Sequence, residues 1–177
     1  MPIIIQKENP VLRETAKEVP LRKIATHQIQ TLLKDMSDAL NTQPDGVAIA
    51  APQIGVSLRI FVISKKVFDG QFINKGGMPN NGNEESDLKD MVFINPVLKK
   101  VSRDKEFMPE GCLSVRPLWG KVCRATKATV EAYDENGKKF TRGGSGLLAQ
   151  IFQHEIDHFD GVLFIDKAKD ISEAIPK

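Results

Sequence analysis

Near the end of the chain stands HEIDH, His154 to His158, two imidazoles four residues apart with an acid beside the first. On a helix, residues at that spacing share a face with Cβ atoms about 5–6 Å apart, so both rings can reach one ion while Glu155 points around the rim toward bound water. The setting favours such a helix. Leu147, Leu148, Ile151, Phe152, Ile156 and Phe159 leave little of the segment polar apart from its glutamines and HEIDH, and a helix apolar nearly all round is buried. Ser145, between Gly143, Gly144 and Gly146, is the expected N-cap, and Asp160-Gly161 is the expected stop. The two histidines and Glu155, buried without partners, would each cost ~1–3 kcal/mol. One cation compensates all three.

Two imidazoles do not complete a site, and the only other histidine, His27, lies far upstream with no ligand-like neighbour. The metzincin pattern HExxHxxGxxH is matched through His158 and Gly161 and then fails, because Phe164 occupies the last position. Of the downstream acids, Asp166, Asp170 and Glu173 have no clear helical frame. Cys112, in EGCLS, is a further candidate: a thiolate, two imidazoles and one water make a four-coordinate catalytic site suited to zinc or ferrous iron. For an isolated cysteine the bland reading is a small buried hydrophobe, and Cys123 keeps it.

The elements that must position these groups have their own signals. Ile24, Ile29, Leu32, Leu33, Met36 and Leu40 recur at helical spacing, so an amphipathic helix is expected over 21–40, ending before Pro44 and Gly46. The segments LRIFVIS and MVFINPVL read as strands. Between them, a long exposed loop is expected over 74–90. Alternation on both sides of Asn136-Gly137 predicts a hairpin. With a short extended segment at Ile3 to Ile5, strands in the middle and helices near both ends, the class is α+β, one domain over 1–177.

Composition excludes several classes. Apolar residues make up 41% and charged residues 27%, ordinary globular usage that argues against a disordered chain. The longest apolar runs are far too short to span a bilayer. A net charge of +2 without a dense basic block gives no nucleic-acid groove. Two cysteines outside any CxxC pair suit a reducing compartment, and the N-terminus MPIIIQKENP has no targeting character, so a cytoplasmic protein is expected.

Three blocks in order, GVAIAAPQIG (Gly46 to Gly55), EGCLS (Glu110 to Ser114) and QHEIDH (Gln153 to His158), resemble the three signature motifs of peptide deformylases. The resemblance extends through INPVL, the hairpin and GLLAQIFQHE, over nearly the whole chain. It implies Cys112, His154 and His158 as metal ligands, with ferrous iron the usual ion and zinc, nickel or cobalt as substitutes. It also implies antiparallel β-sheets packed around a central helix carrying HEIDH, and hydrolytic removal of the formyl group from the N-terminal methionine of new polypeptides. Glu155 would move the proton. The Gln53 side-chain amide and the Leu113 backbone N–H would stabilise the oxyanion. Gly46, Val47 and Ala48 would pair with substrate in extended form. Partners would be N-formyl-Met peptides and nascent chains, met by a monomer in transient contact with the ribosome.

Three features depart from the family pattern. Ala48 stands where the first motif commonly has a second glycine, which is harmless only at negative φ. After EGCLSV the chain reads RPLWG, with Arg116 and the only tryptophan at the substrate rim. Nineteen residues follow His158, too few for the long basic C-terminal helix by which some bacterial members would dock. Two rival readings are an HExxH peptidase cutting internal bonds, which would tolerate loss of Cys112, and a binding module, which would not need Glu155.

Overall fold

A computed structural model describes residues 2–68 and 89–173. Most of the loop expected over 74–90 lies outside them. Among the described residues there are two α-helices and eight strands. Helix α1 spans His27–Asn41 and α2 spans Leu147–Phe159. The strands are β1 (Ala48–Ala50), β2 (Ile60–Ile63), β3 (Met91–Val101), β4 (Lys105–Gly111), β5 (Trp119–Ala125), β6 (Lys127–Tyr133), β7 (Lys139–Ser145) and β8 (Lys169–Ser172).

The strands form two antiparallel sheets, one ordered β1-β2-β3-β6-β7 and the other β4-β5-β8. In β2 every residue is buried because both faces of the larger sheet are covered. Side chains alternate along a strand. Ile60 and Val62 therefore join Ile29, Leu33, Met36 and Leu40 of α1 in one core cluster, while Phe61 and Ile63 join Ala149, Phe152 and Phe159 of α2 in another. The second cluster is aromatic at its centre. Phe61 stacks on Phe93 at 4.5 Å between centroids, and Phe152 meets Phe93 edge-on at 5.5 Å. Such pairs add about 0.5–1.5 kcal/mol each beyond area burial, and they seat α2 firmly on the sheet.

Several sequence expectations need adjusting. The first helix begins at His27, because Leu21–Lys23 form a separate 3-10 turn. The stretch Ile3 to Ile5 joins neither sheet; Ile5 instead donates its N–H to the carbonyl of Gln53 at 2.9 Å. Ser145 is no N-cap. It pairs with Lys127 as the last residue of β7, and Gly146, at φ 55°, caps the helix. The hairpin does form, with Gly137 at φ 78° and the Asp134 carboxylate accepting from the backbone of Asn136 and Lys138. Cys123 is exposed on the outer face of β5 rather than buried.

The N-terminal segment braces the far end of α2. Ala16 donates to the Phe159 carbonyl at 2.8 Å, and Arg13 donates to the Gly161 carbonyl at 3.2 Å. Gly161 sits at φ 69°, and a Cβ there would lie 2.5 Å from the Arg13 carbonyl oxygen. Gly161→Ala is therefore expected to lower the unfolding free energy by roughly 2 kcal/mol or more in urea titrations. An unchanged midpoint would show that this crossing does not constrain the end of the helix.

Candidate metal centre

Helix α2 turns one side to the aromatic core and the other to the small sheet, and its polar residues lie on the second side. The ligand atoms of Cys112, His154 and His158 all lie within 4.8 Å of one another. Cys112 Sγ is 3.4 Å from His158 Nε2, and the two imidazole centroids are 5.0 Å apart. The cysteine arrives on the turn that follows β4, closed by a bond from the Val115 N–H to the Cys112 carbonyl at 3.0 Å. Glycine is needed just before it, since a Cβ on Gly111 would stand 2.9 Å from the Trp119 indole.

The rings are oriented from behind. His154 Nδ1 meets Glu110 Oε1 at 2.7 Å, which directs its Nε2 away from the carboxylate. Arg124 holds Glu110 by two parallel bonds of 2.6 and 3.0 Å, and Glu110 and Arg124 are each 4% exposed. Bidentate geometry of this kind suits a buried carboxylate. Arg124 also donates to Asp157 at 2.7 Å, and Lys167 closes the chain of charges on Asp157 at 2.7 and 2.8 Å. Burial alone would push the Glu110 carboxyl up, but His154 and Arg124 outweigh it and hold it well below the usual range. Burial likewise disfavours a charged His154, yet Glu110 and Cys112 raise its affinity for a proton, whereas burial and the neighbouring His154 push His158 well below its ordinary value. A cation entering here would compete with that proton, as metals do at protonatable ligands.

Glu155 directly follows His154 in sequence and is 4% exposed, and its Oε2 is buried without a hydrogen-bond partner, as is His158 Nδ1. Burial raises its carboxyl to about 7. Gln53, in a 3-10 turn after β1, accepts from the Ala50 N–H through Oε1 at 2.8 Å, which aims its Nε2 at Cys112 Sγ (3.4 Å) and Ser114 Oγ (3.2 Å). Leu113 follows the cysteine, and its carbonyl accepts from Gln6 at 3.1 Å. Gly46 faces Leu113 closely: a Cβ there would come within 3.3 Å of Leu113 Cδ1 and within 2.9 Å of Gln43 Cβ. Val47 passes its carbonyl to the Ser64 N–H, and Ala48 pairs with Ile63 in ordinary strand backbone, since the only non-glycine residues at positive φ among those described are Asn95 and Asp170. Ala48 is thus no backbone defect.

The donor set fits a metal: one thiol and two imidazoles converge, one ring is pinned by a carboxylate through its far nitrogen, and a partnerless acid lies beside them. Arg124 belongs to this site although nothing in its local sequence singles it out, and Gln153, the first residue of the QHEIDH block, belongs to it through the backbone of β5. Gln153 donates to the Ala125 carbonyl and accepts from its N–H, both at 3.0 Å, tying α2 to β5. Arg116 pairs with Asp45 at 2.6 Å, joining the segment after Cys112 to the one before Gly46.

A carboxyl whose pKa rises on folding, here from 4.5 to about 7, contributes stability below its unfolded value and loses that contribution as pH climbs through 7. In metal-free protein, Glu155→Gln should therefore raise the melting temperature at pH 8, by the equivalent of roughly 1–3 kcal/mol, and lose the advantage near pH 5. An equal difference at both pH values would contradict the buried, partnerless acid.

Residues 1–174 match the family model for polypeptide deformylase. A peptide deformylase of Desulforudis audaxviator is 40% identical over 95% of this chain and 94% of its own length. The chloroplastic/mitochondrial peptide deformylase 1A of Arabidopsis thaliana is also 40% identical, over 94% of this chain and 61% of that longer protein. The crystal structure of a peptide deformylase from Legionella pneumophila is 37% identical and superimposes with a TM-score of 0.76, covering 96% of this chain and 87% of that one. The chain belongs to the peptide deformylase family.

Proposed function

We propose that Cys112, His154 and His158 hold a divalent ion, ferrous iron first and zinc, nickel or cobalt as substitutes, at which this peptide deformylase removes the formyl group from N-formyl-methionine chains. The observation that carries the assignment is the convergence of these three donors beside the partnerless Glu155. A bound ion supplies Lewis acidity, lowering the pKa of a water to roughly 7 and polarising the formyl oxygen.

The protein's own groups do the rest. Glu155 accepts the proton of the attacking water, whose oxygen bonds to the formyl carbon. As the carbon–nitrogen bond breaks, Glu155 delivers that proton to the leaving amine, and the products are a free N-terminal methionine and formic acid, which gives its remaining proton to solvent to become formate. A buried carboxylate whose Oε2 makes no hydrogen bond elsewhere is free to take and give this proton, a contribution of ~10²–10⁴-fold. The Gln53 Nε2, fixed by the Ala50 N–H, and the Leu113 N–H donate to the oxygen that gains charge in the transition state.

Among the described residues β1 pairs with β2 alone, and substrate lies along its other edge. Backbone groups alternate along a strand. Because Val47 gives its carbonyl to Ser64, Gly46 and Ala48 are the residues whose backbone can meet the peptide, while Val47 contributes its side chain. The reading extends to a monomer acting on nascent chains in transient contact with the ribosome, in the cytoplasm where such chains are made. Among the described residues, no helix is long and apolar enough to cross a membrane.

Formate release from a formyl-Met peptide, by protein prepared anaerobically with ferrous iron, tests the reading. The parent should release formate and Cys112→Ala should not; turnover by Cys112→Ala with metal bound would favour the internal peptidase instead. Gln53→Ala should lose ~10²–10³ in turnover, and an unchanged rate would remove Gln53 from the oxyanion site.

A further inference from the structure

The Glu110 carboxylate has one more donor. Gln150 Nε2 lies 3.1 Å from Glu110 Oε2 and 2.9 Å from the carbonyl oxygen of Pro109, the residue before it. With Arg124 on both oxygens and His154 on Oε1, each carboxylate oxygen then accepts two bonds, the full capacity of an ionised carboxyl group. Gln150 is four residues before His154, one turn back on the same face of α2. Glu110 is two residues before Cys112 on the strand that delivers the cysteine. One neutral amide therefore links the element carrying the thiol to the helix carrying both imidazoles.

We propose that Gln150 is a positioning residue for the ligand set, acting through Glu110 and the end of β4 to hold Cys112 and His154 in register for one ion; this rests on the metal assignment above. Arg124 fixes the plane of the carboxylate from the β5 side. Gln150 opposes it from the helix side, so that Oε1 stays turned to His154 Nδ1. The bond to the Pro109 carbonyl fixes the backbone as well as the side chain, which a second cation on Oε2 alone would not do. A neutral donor also leaves unchanged the net charge around the site, which Arg124 and Glu110 already balance.

The test uses Co2+-loaded protein, with Gln150→Met, which keeps length without a donor, and Gln150→Glu, which keeps shape but replaces the donor with a second carboxylate. The readouts are Co2+ affinity by chelator competition at pH 8, the visible and near-ultraviolet cobalt spectrum, and the melting temperature of the metal-free protein. Loss of a bond supporting a ligand typically weakens metal binding by about ten- to a hundredfold. Gln150→Met should fall in that range with a shifted cobalt spectrum, and Gln150→Glu should be weaker still. Affinity within twofold of the parent for Gln150→Met would overturn the proposal. So would a Gln150→Glu variant that matches the parent, or a loss confined to metal-free melting, which would mark a plain stitch between strand and helix. The underlying metal assignment is read separately in the parent, whose spectrum must contain thiolate-to-cobalt charge transfer.

Discussion

Burying the carboxylate of Glu110 makes demands that much of the molecule is arranged to meet. A buried charge is tolerated only with a well-placed counter-charge and filled hydrogen-bond sites. Arg124 supplies the first from the neighbouring strand, and being itself buried it requires Asp157 on α2, which in turn takes Lys167 from the segment after the helix. The result is a run of alternating charges from the surface to His154 Nδ1, crossing β4, β5 and α2. Its inner end leaves one imidazole nitrogen directed to the site. Removing Arg124 would strand a carboxylate in the interior, and the orientation of His154 would be lost with it.

The same helix serves as core and as site. Its Phe152 and Phe159 are fully buried against Phe61 and Phe93, so the residues on its other side are carried by an element with little freedom to shift. Rigid support is what a preorganised site requires. The cost is visible in Glu155, a buried acid without a partner, raised to about 7.

Features set by local pattern are legible in the amino-acid sequence alone. HEIDH and EGCLS carry their own chemistry, the alternation around Asn136-Gly137 marks its hairpin, and the buried strand at Ile60–Ile63 is a β-branched and aromatic run. Features set by pairing between distant segments are not. Arg124 meets Glu110 only because β4 and β5 pair with Glu106 opposite Arg124, bringing the guanidinium to a carboxylate further along the same strand. Ser145 has the surroundings of a cap, with three glycines about it, but the register of β6 with β7 extends the strand to that residue and leaves the cap to Gly146. The outward face of Cys123 follows from the same alternation that buries Val122 and Arg124. Support from Ile5 and Gln6 for Gln53 and Leu113 spans gaps of 48 and 107 residues (53 − 5 and 113 − 6), beyond the reach of local pattern.

X-ray absorption at the zinc edge of zinc-loaded protein tests the ligand set most directly. Coordination by Cys112, His154 and His158 predicts one sulfur at about 2.3 Å, two imidazole nitrogens at about 2.0 Å and one further light ligand, with the sulfur lost in Cys112→Ser. A shell of nitrogen and oxygen alone in the parent would contradict it.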